Sequence, residues 1–191
     1  MIRETQNYLL EFSDRTGALT RLSLKKYLDQ DGKNIEATPQ PSSRGALFYG
    51  FENMTLDGGV FQENSDGSLT YIQENSQLRV EKQMIFPENA YHLQVKMKIF
   101  NKSKDRIQIK DMLAWEGSIG PFPQEKERTQ YDETVETSYF DREKNAEEKI
   151  SGETVMKTQE IDWLGMDGRY FFVALIPDQL GKQTFKIQNE D

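Results

Sequence analysis

The sequence contains no cysteine and a single histidine, His92. The absence of cysteine excludes disulfides, zinc–thiolate sites and thiol nucleophiles together. A metal centre or a nucleophile–base pair built on one histidine would need further groups at matched spacing. We therefore predict that His92 is a solvent-facing or edge residue, and we expect no catalytic residues, no metal and no cofactor.

Long apolar segments are also absent. The longest uninterrupted apolar run extends only from Tyr170 to Ile176 and stops at Pro177, whereas a helix needs about 20 residues to cross a bilayer. We expect no part of this sequence to span a membrane, so that any membrane link comes from segments outside it. Residues Ile2–Gln6 lack the basic start and apolar stretch of a secretion signal. If the domain is exported, we expect its signal sequence to lie upstream or to have been removed.

Basic clusters are missing as well. The net charge is -8, with 32 acidic and 24 basic residues, and no row of Lys and Arg is present that could neutralise phosphates. Nucleic acid and the anionic face of a bilayer are therefore improbable partners. The hydrophobic share of 36% and the aromatic share of 11% suffice for a packed interior, so we predict one soluble, monomeric domain over residues 1–191.

What the sequence does contain is alternation of apolar and polar residues, the pattern of strands with one buried face. It is clear at Tyr8–Phe12 and resumes at Leu22–Leu24 after turn-forming residues at Ser13–Gly17, which predicts an opening hairpin. Residues Asp29–Gly45 are rich in Pro, Gly and Ser and are predicted to form a long loop. Short strands are expected around Leu47–Phe51, Val60–Gln62 and Leu69–Gln73.

The most regular alternation lies in the centre of the chain. It predicts a strand over Leu78–Phe86, a turn at Pro87–Ala90, a second strand over Tyr91–Ile99 and, after a turn at Asn101–Asp105, a third ending at Trp115. Three such strands in succession favour an antiparallel meander. Polar residues occupy the alternate positions and predict a wet face: Glu81, Gln94, Lys96, Lys98, Gln108 and Lys110.

The last third of the chain is less regular. A loop is predicted at Gly120–Pro123, an extended strand at Tyr131–Phe140 and strand segments at Trp163–Pro177 and Thr184–Ile187. The charged run Asp141–Lys149 is interpreted as a solvated turn or short surface helix rather than a docking patch, because mixed-sign runs usually face water. Little helix is expected anywhere.

Few residues point to chemistry. No serine lies in a G-x-S-x-G context, and Gly58–Gly59 lacks the surrounding pattern of a phosphate-binding loop. Carboxylates are too numerous for the sequence to single out a catalytic pair. The tryptophans of Trp115–Gly117 and Trp163–Gly165 could stack on sugars, but core packing is the favoured interpretation. We predict that Trp163, Tyr170 and Phe171 are core residues and that the protein is not an enzyme.

One stretch, Ile161–Pro177, resembles the signature near the end of the large periplasmic domain of YidC insertases, where a tryptophan-led turn precedes a Tyr-Phe strand that closes on proline. Three further stretches fall in the family's order. The first is the opening hairpin, Glu4–Phe12 followed by Thr16–Leu19 and Leu24–Tyr27, where the family commonly has two glycines and this chain has Gly17-Ala18. The other two are the Asn101–Ser103 turn and Trp115–Gly117.

This resemblance implies a mostly all-β, antiparallel β-supersandwich of the galactose mutarotase-like kind. It also implies an extracytoplasmic domain on the periplasmic face of the bacterial inner membrane, assisting the insertion and folding of membrane proteins. Nascent membrane proteins and accessory subunits of the Sec translocon would be its partners. Insertion itself belongs to a transmembrane core that this sequence lacks. The expected binding features are exposed edge strands and aromatic-lined grooves, which the sequence does not assign to residues.

Two other functions remain open. Mutarotase relatives of this fold open sugar rings with a histidine acid and a carboxylate base and usually have two histidines, whereas this chain has His92 alone. A carbohydrate-binding domain without catalysis is the second alternative, since fold likeness by itself does not assign an activity.

Overall fold

A computed structural model describes residues 1–29, 31–38, 45–56, 58–116, 136–150, 154–168, 171–178 and 181–188. Within these ranges all regular structure is β-strand, and every strand pairing is antiparallel. The all-β prediction is confirmed. The chain divides into two compact units, Met1–Gly117 and Ser118–Asp191. A single domain over 1–191 therefore stays a prediction.

The described residues of the first unit form ten strands in three sheets. The two four-stranded sheets have the orders β1-β2-β3-β4 and β6-β7-β8-β9, and β5 pairs with β10. The strands are β1 (Ile2–Glu4), β2 (Tyr8–Phe12), β3 (Leu19–Leu28), β4 (Asn34–Glu36), β5 (Phe48–Phe51), β6 (Val60–Glu63), β7 (Leu69–Glu74), β8 (Leu78–Ile85), β9 (Gln94–Asn101) and β10 (Asp111–Ala114).

The opening hairpin forms as the alternation predicts. Along β2 the side chains alternate between buried and half-buried positions, and β3 pairs with β2 in antiparallel register. The connecting turn is closed by a hydrogen bond from the Gly17 amide to the Ser13 carbonyl oxygen, 2.8 Å long. Gly17 has a φ of 63°, a conformation that residues with a side chain rarely adopt.

The predicted loop over Asp29–Gly45 is wrong at β4. A turn in which the Asp29 carboxylate accepts hydrogen bonds from the amides of Asp31 and Lys33 returns the chain to β3, and β4 then pairs with it. An Asx turn of this kind can be formed by an aspartate without any apolar pattern. Residues 30 and 39–44 lie outside the described ranges.

The central meander is confirmed in part. Strands β6 to β9 form it, but β9 begins at Gln94 rather than Tyr91, and β10 pairs with β5 instead of β9. The stretch between β9 and β10 is held by Asn53, whose side-chain amide donates to the Gln108 carbonyl oxygen and whose side-chain oxygen accepts from the Lys110 amide. Gln94, Lys96 and Lys98 are exposed, as expected of the wet face.

The core of the first unit is supplied by both four-stranded sheets, as in a sandwich. Phe12 of β2 packs against Phe61 of β6, with ring centroids 5.9 Å apart, and Phe61 packs against Tyr71 of β7 at 4.8 Å. The largest fully buried apolar side chains of this unit are those of Tyr71, Leu10, Leu19, Leu69, Leu78, Met84 and Val80.

The second unit is organised around one long strand, of which the sequence predicted only the part from Trp163 onward. This strand, β13 (Thr154–Asp167), pairs with β11 (Glu136–Asp141), and its successive halves pair with β15 (Lys182–Gln188) and β14 (Phe172–Leu175). Its buried cluster consists of Tyr139, Ile161 and Phe185.

Within the charged run Asp141–Lys149 only residues 142–145 form a turn, because Asp141 ends β11 and Ala146–Lys149 belong to β12 (Ala146–Ile150). The prediction of a solvated turn is therefore confirmed in part. Buried Asp141 fixes this turn because its carboxylate accepts a hydrogen bond from the Lys144 amide at 3.0 Å. The predictions for Gly120–Pro123 and for residues 131–135 lie outside the described residues.

Candidate functional site

His92 lies in an exposed position two residues before β9 begins, as predicted for a solvent-facing residue. Its main-chain oxygen accepts a hydrogen bond from the Tyr8 hydroxyl, 3.4 Å away. Over the part of the chain that the structure describes, no group of three or more His, Asp or Glu side chains is arranged to hold a metal ion. The main chain of His92 is therefore anchored to Tyr8, and no described metal-binding cluster surrounds its imidazole.

The two tryptophans occupy half-buried positions. Trp163 lies in β13 and packs edge-to-face against Phe172, with ring centroids 5.2 Å apart, and more distantly against Phe140 at 6.5 Å. Trp115 follows β10, and its buried indole nitrogen has no hydrogen-bond partner among the described residues. Phe171 is also half-buried. Tyr170, predicted as a core residue with Trp163 and Phe171, lies outside the described ranges.

The edge of β9, with which no other described strand pairs, is the surface feature that the sequence did not locate. β9 is the last strand of its sheet and pairs with β8 over all its residues without a bulge. It is eight residues long, whereas the other terminal strands of the two four-stranded sheets have three or four. A long, regular edge is the kind of surface to which another extended chain can add.

The hydrogen-bond register shows which main-chain groups point away from the sheet. The Lys102 amide donates to the Gln77 carbonyl oxygen at 2.8 Å, which makes these two residues a hydrogen-bonded pair. Because such pairs alternate along an antiparallel ladder, the even-numbered residues of β9 bond to β8. The N–H and C=O groups of Val95, Met97 and Ile99 therefore face outward.

The side chains of β9 separate by polarity between the two faces of the sheet. Val95, Met97 and Ile99 are half-buried, on the face where β8 contributes its buried residues Val80 and Met84. Gln94, Lys96, Lys98 and Phe100 are exposed on the other face. The outward-facing amides thus belong to the same three residues that carry the apolar side chains.

An exposed aromatic pair precedes this edge along the chain. Tyr27 and Tyr91 are 47% and 50% exposed and meet edge-to-face, with ring centroids 6.0 Å apart. Two hydrogen bonds fix the turn that carries Tyr91 to the start of β2. The side-chain amide of Asn7, the residue before β2, donates to the Ala90 carbonyl oxygen at 3.0 Å, and the Tyr8 hydroxyl donates to the main-chain oxygen of His92. We call this aromatic pair the tyrosine patch.

Comparison with known proteins accounts for nearly the whole chain. Residues 4–191 match the YidC periplasmic domain family. The chain belongs to this family. It is also similar to the membrane protein insertase YidC of Syntrophus aciditrophicus (strain SB), with 24% identity over 195 residues. That alignment covers 91% of this chain and 35% of the relative, so the chain spans about a third of the relative's length.

This YidC periplasmic domain thus has the family and the periplasmic location that the resemblance implied. Among the residues that the structure describes, no helix is long and apolar enough to cross a membrane. The alternation at Gln94–Asn101 was visible in the sequence and predicted the strand. It did not predict that β9 would end its sheet, because strand order depends on partners distant in sequence.

Proposed function

We propose that this YidC periplasmic domain assists the insertion and folding of membrane proteins by contacting polypeptide, and that it catalyses no reaction. The observation that supports the proposal is the open edge of β9 in a chain that matches the family over residues 4–191. Nascent membrane proteins and accessory subunits of the Sec translocon are its proposed partners. The chain is further proposed to act as one monomeric domain of a longer insertase.

A sheet edge suits such a task because main-chain hydrogen bonds depend little on the partner's sequence. A domain that meets many different membrane proteins needs a surface of this tolerance. The tyrosine patch adds side chains with an apolar ring and a polar tip, a combination common at protein interfaces. Sugar binding is less well supported, since Tyr27 and Tyr91 meet edge-to-face and so do not form one flat stacking surface.

The proposal can be tested in the full-length insertase that carries this domain. A photoreactive amino acid replaces exposed Lys98 on β9 or, as a control, exposed Lys186 on β15, and cross-links are collected during synthesis of a membrane protein. We expect products with the nascent chain or a translocon subunit from position 98 and few from position 186. Equal yields from both positions, or no products at all, would contradict the proposed function.

A further inference from the structure

From the β9 edge we infer the chemistry of its partner: an extended polypeptide segment in which acidic residues alternate with apolar ones. The inference rests on the proposed function and specifies which polypeptide the same surface prefers. The groups that would contact the partner are the outward main-chain groups of Val95, Met97 and Ile99 and the exposed side chains of Lys96 and Lys98.

The main-chain groups provide the attachment. Three alternate residues of β9 present N–H and C=O groups outward, and among the described residues these groups have no hydrogen-bond partner. The strand contains no proline and no bulge, either of which would block the addition of a neighbour. An extended segment can therefore continue the ladder beyond β9.

The apolar requirement comes from the inner face of the sheet. Val80 and Met84 on β8 are buried, whereas their register partners Ile99 and Val95 on β9 are only half-buried. The apolar face therefore reaches the edge without being covered there. A strand added beside β9 would place alternate side chains on this face, and apolar ones would extend it.

The acidic requirement comes from the outer face. Lys96 and Lys98 are exposed, and neither forms an ion pair with another described residue. Glu81 of β8 lies directly opposite Lys98, but its carboxylate pairs with Arg79 at 2.9 Å. Two unpaired lysines on one strand are notable in a chain of net charge -8. Asp or Glu on the incoming strand would lie opposite them, and Lys or Arg would be repelled.

The same lysines argue against a second copy of this chain as the occupant. Antiparallel pairing of two β9 strands centred on Met97 would place Lys96 of each copy opposite Lys98 of the other. Like charges directly opposite each other destabilise a strand pair. Lysines on an edge are also a common protection against unspecific pairing, so here they would restrict the edge to acidic partners.

The inference can be tested with the 191-residue chain and two peptides of about nine residues, one alternating Glu with Val and the other Lys with Val. Binding is followed by NMR titration and amide exchange. We expect at least about tenfold tighter binding of the Glu peptide and slower exchange at the amides of Val95, Met97 and Ile99. Equal affinities, or protection elsewhere on the chain, would overturn the inference.

Charge-reversed variants show whether the Glu peptide is attracted by the lysines of β9 or by any exposed lysine of the chain. Lys96→Glu combined with Lys98→Glu should reverse the preference to the Lys peptide, whereas Lys182→Glu combined with Lys186→Glu on β15 should leave it unchanged. Unchanged preference in the β9 variant, or dimers of the unmodified chain in place of peptide binding, would refute the inference. Cross-links from position 98 without a preference for acidic segments would retain the proposed function and reject only this inference.

Discussion

Lys82 of β8 donates a hydrogen bond to the carbonyl oxygen of Leu47, 3.0 Å away, from a side chain that is only 2% exposed. The same ammonium group donates to the carbonyl oxygen of Gly17. Leu47 and Gly17 both have positive φ, 52° and 63°. One buried cation therefore joins two irregular main-chain segments on the inner face of a sheet.

Burial lowers the pKa of Lys82 to about 8, and this predicts a pH-dependent stability. The unfolded chain, with a lysine pKa near 10.5, binds more protons than the folded chain between pH 8 and 10.5. Stability should therefore rise with pH in that window. We expect the free energy of unfolding, measured with urea, to increase by about 1 to 2 kcal/mol from pH 7.5 to pH 9.5.

The control for this prediction is Lys82→Met, which should abolish the rise. The measurement stops at pH 9.5 because burial also raises the pKa values of Tyr8 and Tyr71. Tyrosines of this kind contribute stability that is lost as pH rises above the unfolded pKa of about 10. If the free energy of unfolding of Lys82→Met increased with pH by the same amount, Lys82 would not be the source of the pH dependence.

Gly17→Ala is predicted to destabilise the first unit strongly. An added Cβ atom would lie 2.2 Å from Cδ1 of Tyr71, a fully buried ring that has little room to move. Gly32→Ala is the matched control, since Gly32 has a similar φ of 75° but no atom within 4 Å of the added Cβ. Urea unfolding should show a loss of about 1 kcal/mol for Gly32→Ala and about 3 kcal/mol or more for Gly17→Ala. Equal losses would mean that φ alone requires the glycine.

Alternation identified β2, β8 and most of β9 from the sequence because these strands have one face in the core and one in water. It did not identify the part of β13 before Trp163, where Lys157 and Gln159 are half-buried together with Val155, so that the inward positions do not read as apolar. Lys157 fits there because its ammonium group donates to the hydroxyl of Tyr139 at 2.8 Å. A partner of this kind is invisible without tertiary structure.

Contacts between residues distant in sequence also determine the place of Lys82 and of the candidate site, and the sequence alone does not reveal them. Lys82 occupies an inward position of an otherwise apolar series, and the sequence alone does not reveal the two carbonyl groups that hold it. The exposed state of His92 followed from its isolation in the sequence. The edge position of β9 did not follow, because it depends on β10 pairing with β5 rather than with β9.

The buried cluster of the second unit can be tested with two phenylalanines. Phe185 is 7% exposed and packs against Tyr139, with ring centroids 5.0 Å apart, whereas Phe172 is 51% exposed. Phe185→Ala should lower the free energy of unfolding by about 3 kcal/mol or more, and Phe172→Ala by about 1 kcal/mol or less. Urea unfolding followed by circular dichroism measures both. A larger loss for Phe172→Ala would mean that the ring packed edge-to-face against Trp163, rather than the Tyr139 cluster, stabilises this unit.

The last prediction concerns sugar chemistry. Ring opening by general acid–base catalysis needs an acid and a base within hydrogen-bond reach of the same sugar, and His92 is exposed, with its main chain as the group in contact with Tyr8. We expect polarimetry of freshly dissolved glucose or galactose to show mutarotation at the rate of buffer alone. The chain and His92→Ala should give the same trace. A faster rate that His92→Ala removes would establish an epimerase site at the start of β9 and displace polypeptide contact as the function of this surface.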